Sequence, residues 1–403
     1  MTSELIEILS NSSIPQSDPN SKYVVPNIAS ENDWLLVNLK QVGFYRVNYD
    51  ARNWQLLTDQ LRRNHTAIHE QSRAQLLNDL FAVAEAGELS YDLALEACLD
   101  YLPAEKSPLV WRTALGGLSQ VGGQLQRSLL FGRWTEYMGR ILTPLYERLS
   151  FDQPDNQRLQ ESELQAVGLQ VSCRYNVGNC VQKARQLFRS YRQAVENAKN
   201  SSNLGSTNST FATSKLALNP IPPNVRSTVY CVGVQQGDQS DWEFVWKEYR
   251  QADVASERNR LLHSLKCSRV PWLLVRLLHS SFAEEGAIKK QDGISVFRSV
   301  ASQDHARDIA FNFLRQHWSK ILARYGKSFF SFGRLVSSIS GVNSQFELEQ
   351  MLEFHRSLRE QVGSAERAFQ QAIESIQANV RWMNQFYPQV QQFLVKYFGP
   401  VSY

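Results

Sequence analysis

The stretch AIHEQSR, residues 67–73, places His69-Glu70, then two residues, then Arg73. A histidine at position 73 would complete H-E-x-x-H, in which two imidazoles one helical turn apart hold zinc and the glutamate acts as general base. Arginine keeps its proton in proteins and has no lone pair for a metal. HEQSR is therefore not a working form of that motif. The sequence contains seven histidines, at 65, 69, 263, 279, 305, 317 and 355. Only His65 and His69 have helical metal spacing, and His65 falls in Asn64-His65-Thr66, which reads as loop. The expectation is no bound metal, with these histidines solvated or capping. A phosphate-binding Gly-rich loop, a nucleophile elbow and G-x-G-x-x-G are all missing.

Five cysteines occur, at 98, 173, 180, 231 and 267, with no C-x-x-C to support a zinc ribbon. Cys173 and Cys180 bracket RYNVGN, whose Asn and Gly favour a tight reversal that would let them close a small disulfide loop. Five buried free thiols fit the count equally well. Asn11, Asn64, Asn200 and Asn208 each open an N-x-[ST] glycosylation sequon. Two of these lie in NAKNSSNLGSTNSTFATS, a polar segment that reads as an exposed loop.

The elements that carry these residues are mostly helical. Residues 1–23 are polar and rich in Ser, Asn and Pro. Between 24 and 50, the runs DWLLVNL and FYRVNYD are rich in Val and aromatics around KQVG, which predicts a β-hairpin turning at Gly43. Two strands are marginal alone, so this hairpin is expected to belong to a larger sheet. After Asp50 roughly sixteen helical segments follow. Phe369, Ile373, Ile376, Val380 and Met383 step by four and three along one helix face, and Tyr387-Pro388 marks a break. Ser240-Asp-Trp-Glu243 and Ser344-Gln-Phe-Glu347 read as capping boxes, and Gly87, Gly326 and Gly363 as helix ends. Many helices in series, without a fixed repeat, predict a mainly α chain of α-solenoid or superhelical type.

The formal charge is +4 over 403 residues, with bases and acids interleaved. That pattern argues against a nucleic-acid partner. Membrane spanning needs about 20 apolar residues, and no run approaches that length. MTSELIEILSNSS has acids where a signal peptide needs bases, and KYFGPVSY is not a lipid-anchor tail. Sequons without a secretory signal lead to the expectation that an N-terminal portion of a parent protein precedes this chain.

Two blocks carry a resemblance. DWLLVNLKQVGFYRVNYD and RAQLLNDLFAVAEAGELSYDLALE resemble the C-terminal half of the aminopeptidase N family, the gluzincin zinc aminopeptidases. The likeness continues through DIAFNFLRQHWSKI and ERAFQQAIESIQANVRWMNQF, from about residue 24 to 400. It implies that residues 24–50 end a β-sandwich and that 51–403 form a helical bowl. It also implies disulfides Cys173–Cys180 and Cys231–Cys267, leaving Cys98 a buried thiol, and a cell-surface or secretory location. YGKSFFSFGRL, residues 325–335, resembles the start of a chamber-lining helix, so Phe330, Phe332 and Arg334 are its candidate peptide-contacting residues. Arg334 stands where mammalian relatives have asparagine, which puts that position's hydrogen-bonding role in question; an arginine there suits a peptide carboxylate.

H-E-x-x-H, its distant glutamate, the G-x-M-E-N motif and the oxyanion-steadying tyrosine of the family are all missing from this sequence. The expectation is a non-catalytic C-terminal part of a zinc aminopeptidase. It would carry no cofactor of its own, cover the active site, gate peptides, and meet both the catalytic N-terminal half and a second copy. The alternative is a stand-alone α-solenoid that binds a peptide or protein. A hairpin edge made for another sheet favours the first reading.

Overall fold

The computed structural model describes residues 33–152, 158–203, 219–326, 329–358, 362 and 365–400. Among these, the chain forms seventeen α-helices and four short 3-10 turns, with no strand. It is a mainly α protein. The expected polar segment 1–23 lies outside the described residues. The contacts divide the chain into two compact units, residues 1–120 and 121–403.

In the first unit, α1 (Ala51–Asn64) and α2 (Glu70–Glu85) both pack on α3 (Tyr91–Tyr101). Trp54, Leu57, Leu77, Leu80, Leu95 and Cys98 are fully buried between them. Asp50 caps α1 by accepting the Asn53 N–H at 2.9 Å. At the other end of α2, Gly87 adopts φ 83. That left-handed turn lets Gly87 N–H reach Ala84 O at 3.0 Å and Glu88 N–H reach Val83 O at 3.1 Å, so the last carbonyls of the helix are satisfied.

The expected β-hairpin is not formed. Residues 34–49 do reverse direction, but around a 3-10 turn, Leu39–Gln41, with positive φ at Asn38, Lys40 and Gln41. No strand pairs with them among the described residues. Backbone groups that a ladder would satisfy go to side chains instead. Leu35 N–H donates to Asn53 Oδ1 at 2.7 Å, Val37 N–H to the Tyr49 hydroxyl at 2.9 Å, and Lys40 N–H to Ser72 Oγ at 2.9 Å. The β-rich composition was real, but a ladder needs neighbouring strands. These residues form an arm fastened to helices.

In the second unit, most helices pack on near neighbours in sequence. α7 (Cys180–Asn203) lies on α8 (Arg226–Gln236), and α9 (Gln239–Gln251) on α10 (Ala255–Ser264). α11 (Pro271–Phe282), α12 (Lys290–Ala301) and α13 (Arg307–Tyr325) pack on one another in sequence. α14 (Phe329–Ser337) and α15 (Gln345–Leu358) both meet α16 (Glu366–Gln385), and α16 meets α17 (Tyr387–Phe398). Distant in sequence, α17 also packs on α5 (Phe131–Glu147), with Phe393 and Phe398 edge-on to the buried ring of Tyr137.

The stripe expected along α16 is present, with Phe369 and Ile376 fully buried and Ile373, Val380 and Met383 half-buried. Pro388 sits in the first turn of α17. Ser344 and Glu347 form a true capping box: Glu347 N–H donates to Ser344 Oγ at 3.2 Å and Ser344 N–H returns to Glu347 Oε2 at 3.1 Å. The other box is corrected. Asp238, not Ser240, caps α9, accepting the Ser240 and Asp241 N–H groups at 2.8 and 3.2 Å. The helix starts at Gln239, so Ser240 lies inside its first turn and donates both its N–H and its hydroxyl to Asp238, and Glu243 pairs with Arg276 instead.

Candidate functional site

The HEQSR stretch is a fastening point. His69 caps α2, its Nδ1 accepting the Gln71 N–H at 3.3 Å. Arg73, one turn into α2, is buried. Its guanidinium grips both oxygens of Glu105 at 2.8 and 3.0 Å and donates to Ile68 O at 2.6 Å. Glu105 also accepts the Tyr101 hydroxyl and the N–H groups of Lys106 and Ser107. Burial alone would raise the Glu105 pKa, but Arg73, Tyr101 and Ser107 outweigh it and hold the carboxyl below its usual range. The same carboxylate offsets the burial of Arg73 and keeps its proton more tightly held than usual. Glu70 accepts from the Ser107 hydroxyl at 2.7 Å. These groups tie the start of α2 to the turn after α3.

The other half of RAQLLND holds the arm. Asp79, buried in α2, accepts from Arg46 at 3.2 Å and from Val47 N–H at 3.3 Å. Burial raises the Asp79 pKa, and the Val47 N–H, then Arg46 and Gln75, oppose that shift. Tyr49 stands edge-on to Trp54 at 4.9 Å, and burial pushes its hydroxyl up to about 12. Trp54 Nε1 donates to Asn48 Oδ1 at 2.9 Å. GFYRVNYD and RAQLLND are thus the two sides of one set of fasteners.

The fastened arm creates a groove of about 440 Å3, with Trp34, Leu36 and Leu39 on one side and Ala67, Ile68 and His69 on the other. Beyond it the arm's tip is rigidly turned. Asn38 Oδ1 accepts Gly43 N–H at 2.7 Å while its Nδ2 donates to Gly43 O at 2.9 Å and Tyr45 O at 3.3 Å. This turn presents Val42, Phe44 and Tyr45 to solvent, with Phe44 fully exposed. Three large apolar side chains thus stand exposed together on one hydrogen-bonded turn. Sequence reading missed the groove because it is assembled from residues 34–40 and 66–72. The strand-like composition of 34–49 was the signal available for the tip.

The remaining candidates are placed as follows. The side chains of Phe330 and Phe332 lie outside the described residues. Arg334 is exposed on α14, while the next residues, Leu335 and Val336, are fully buried. Cys173 bonds Cys180, joining α6 (Leu159–Arg174) to α7 across a turn with positive φ at Asn176 and Gly178. Cys231 of α8 bonds Cys267 in the turn after α10. Cys98 is free and fully buried, and burial pushes its thiol pKa up. Asn64 is exposed and its Oδ1 accepts the Thr66 hydroxyl at 2.6 Å. Asn200 lies exposed in α7, and Asn11 and Asn208 fall outside the described residues. Among the described residues no group of three or more His, Cys, Asp or Glu is arranged to hold a metal ion, and no helix is long and apolar enough to cross a membrane.

Residues 34–378 match the family model described as ERAP1-like C-terminal domain. The chain is similar to aminopeptidase Ey of Gallus gallus, 34% identical over 360 residues, covering 87% of this chain and 34% of that protein. It is 33% identical over 364 residues to aminopeptidase N of Homo sapiens, covering 88% of this chain and 35% of that protein. It is 33% identical over 375 residues to the thyrotropin-releasing hormone-degrading ectoenzyme of Rattus norvegicus, covering 91% and 32%. The chain spans about one third of the length of the curated relatives it matches.

Proposed function

The chain belongs to the ERAP1-like C-terminal domain family, and through it to the aminopeptidase N family; from that premise we propose that it is the non-catalytic C-terminal part of a zinc aminopeptidase that removes N-terminal residues from peptides. Its role is to cover the active site, gate peptide entry and support assembly. The observation that carries this reading is the arm. A hydrogen-bonded turn displays Val42, Phe44 and Tyr45 beside an apolar groove, a surface suited to the polypeptide that precedes it in a longer protein. The residues present do not fit a catalytic zinc: His69 is a helix cap and Arg73 a buried cation. No step of peptide hydrolysis is assigned to this chain.

Within the same reading, Phe330, Phe332 and Arg334 line the peptide chamber, and the helical part carries a homodimer contact. The two disulfides and the relative named an ectoenzyme support a secretory or cell-surface location with glycans at the sequons. In the test, the purified chain is incubated with zinc and an aminoacyl 4-nitroanilide, and then a form extended by the preceding part of its parent is assayed. The chain alone is expected to be inert and the extended form active. Chelator-sensitive turnover by the chain alone would overturn the proposal.

A further inference from the structure

Along the sequence, metal spacing belongs to His65 and His69. The fold gives those two other tasks: the His65 ring packs on Tyr101 with centroids 5.4 Å apart, and His69 caps α2. Packing of α11 on α13 instead brings His279 and His317 together, with ring centroids 5.1 Å apart and planes at 74°. Two imidazoles that bind one cation at about 2.1 Å, with a near-tetrahedral angle between them, have centroids about 5 Å apart. The observed 5.1 Å, in an edge-on packing of the two rings, is of that size.

Three further features suit the pair to that role. Both rings reach solvent, His279 exposed and His317 half-buried. Phe313 backs them from one side, 5.1 Å from the His279 ring and 4.4 Å from that of His317. And α13 leaves helical dihedrals at His317, with φ −110 and ψ 16, so this ring's placement comes from a local break in the helix, a feature common at functional positions. Phe282 packs against Phe313 behind them. No thiol competes, because Cys98 is buried and the other four cysteines are bonded.

We propose that His279 and His317 form a two-imidazole site for a divalent transition-metal cation of the zinc, copper and nickel class, with water completing the coordination shell. Such a cation ties α11 to α13. The site goes beyond the aminopeptidase reading and does not depend on it.

The test is calorimetric titration of the full chain, made without a histidine tag, with zinc chloride and separately with copper chloride. Wild type is compared with His279→Gln, His317→Gln and the control His65→Gln/His69→Gln, each checked for folding by thermal melting. One equivalent of metal should bind, copper more tightly than zinc. Loss of even a partner of a ligand costs roughly 10–100-fold in metal affinity, so either single variant should weaken binding at least tenfold and the control should match wild type. Affinity should fall as pH drops from about 7.5 to about 5.5, because protons compete for the imidazoles. Copper electron paramagnetic resonance should show two nitrogen ligands in wild type and one in each single variant. Absence of saturable binding, or binding that both single variants retain, overturns the proposal.

Discussion

Replacing Arg73 with leucine removes the guanidinium that holds both oxygens of the buried Glu105. Breaking a buried pair by deleting one partner costs about 3–5 kcal/mol, and urea unfolding of Arg73→Leu should show a loss of that size. The loss should depend on pH. The folded pKa of Glu105 lies below its ordinary 4.5, so its stabilising contribution is fully present above that value and disappears as pH falls through the depressed one. Wild type and variant should therefore converge in stability on acidification below the ordinary value. A gap that stays constant with pH would refute the assigned role of the pair. The sequence at this point was legible in the negative: arginine chemistry alone excluded a zinc ligand at position 73. Its positive role was not, because Glu105 and Tyr101 reach it only when α3 folds back on α2. The His279 and His317 pair was hidden for the same reason, since two helices set its spacing.

At the scale of elements, α8 packs at Gly233 directly on Phe188 of α7. A Cβ there would stand 2.3–2.7 Å from three ring atoms of Phe188, a side chain itself buried. Gly233→Ala should destabilise the chain by about 1–3 kcal/mol. Phe188→Leu should be less harmful in the Gly233→Ala background than alone, which a double-mutant cycle in denaturant would show. The two disulfides should differ in weight. Closing loops with sequence separations of 7 and 36 corresponds to about 2 and about 4 kcal/mol of unfolded-state entropy. Cys231→Ser/Cys267→Ser should accordingly lower Tm more than Cys173→Ser/Cys180→Ser. Helix faces and ends were mostly readable, since periodicity, Gly87 and the Ser344 box are local signals. The hairpin was misread because strand composition records a preference for being in a sheet, and the ladder itself depends on neighbours. Ser240 failed as a cap because the helix starts one residue earlier, behind Asp238, and leaves the serine inside the first turn as a donor to that carboxylate.

For the whole molecule, the proposed function turns on the exposed apolar tip of the arm. Phe44 touches little of its own protein, so Phe44→Ser should change the stability of this chain by no more than about 0.5 kcal/mol. In the extended form the same substitution should lower both Tm and peptidase activity. A large loss in the isolated chain would mean that Phe44 serves this fold and not a neighbour. The mainly α class was legible because helical patterning runs nearly from Asp50 onward. The groove was not, because its two walls come from segments separated by all of α1.

The contact between α17 and α5 bears on how the polypeptide is made. About 240 residues separate the end of one helix from the start of the other. At a synthesis rate of about 5–20 residues per second, α5 leaves the ribosome on the order of ten to fifty seconds before its partner exists. Through that interval Tyr137 and its neighbours on α5 have no final cover. A holding chaperone, or a temporary cover from helices made in between, has to protect that face until the last helix arrives.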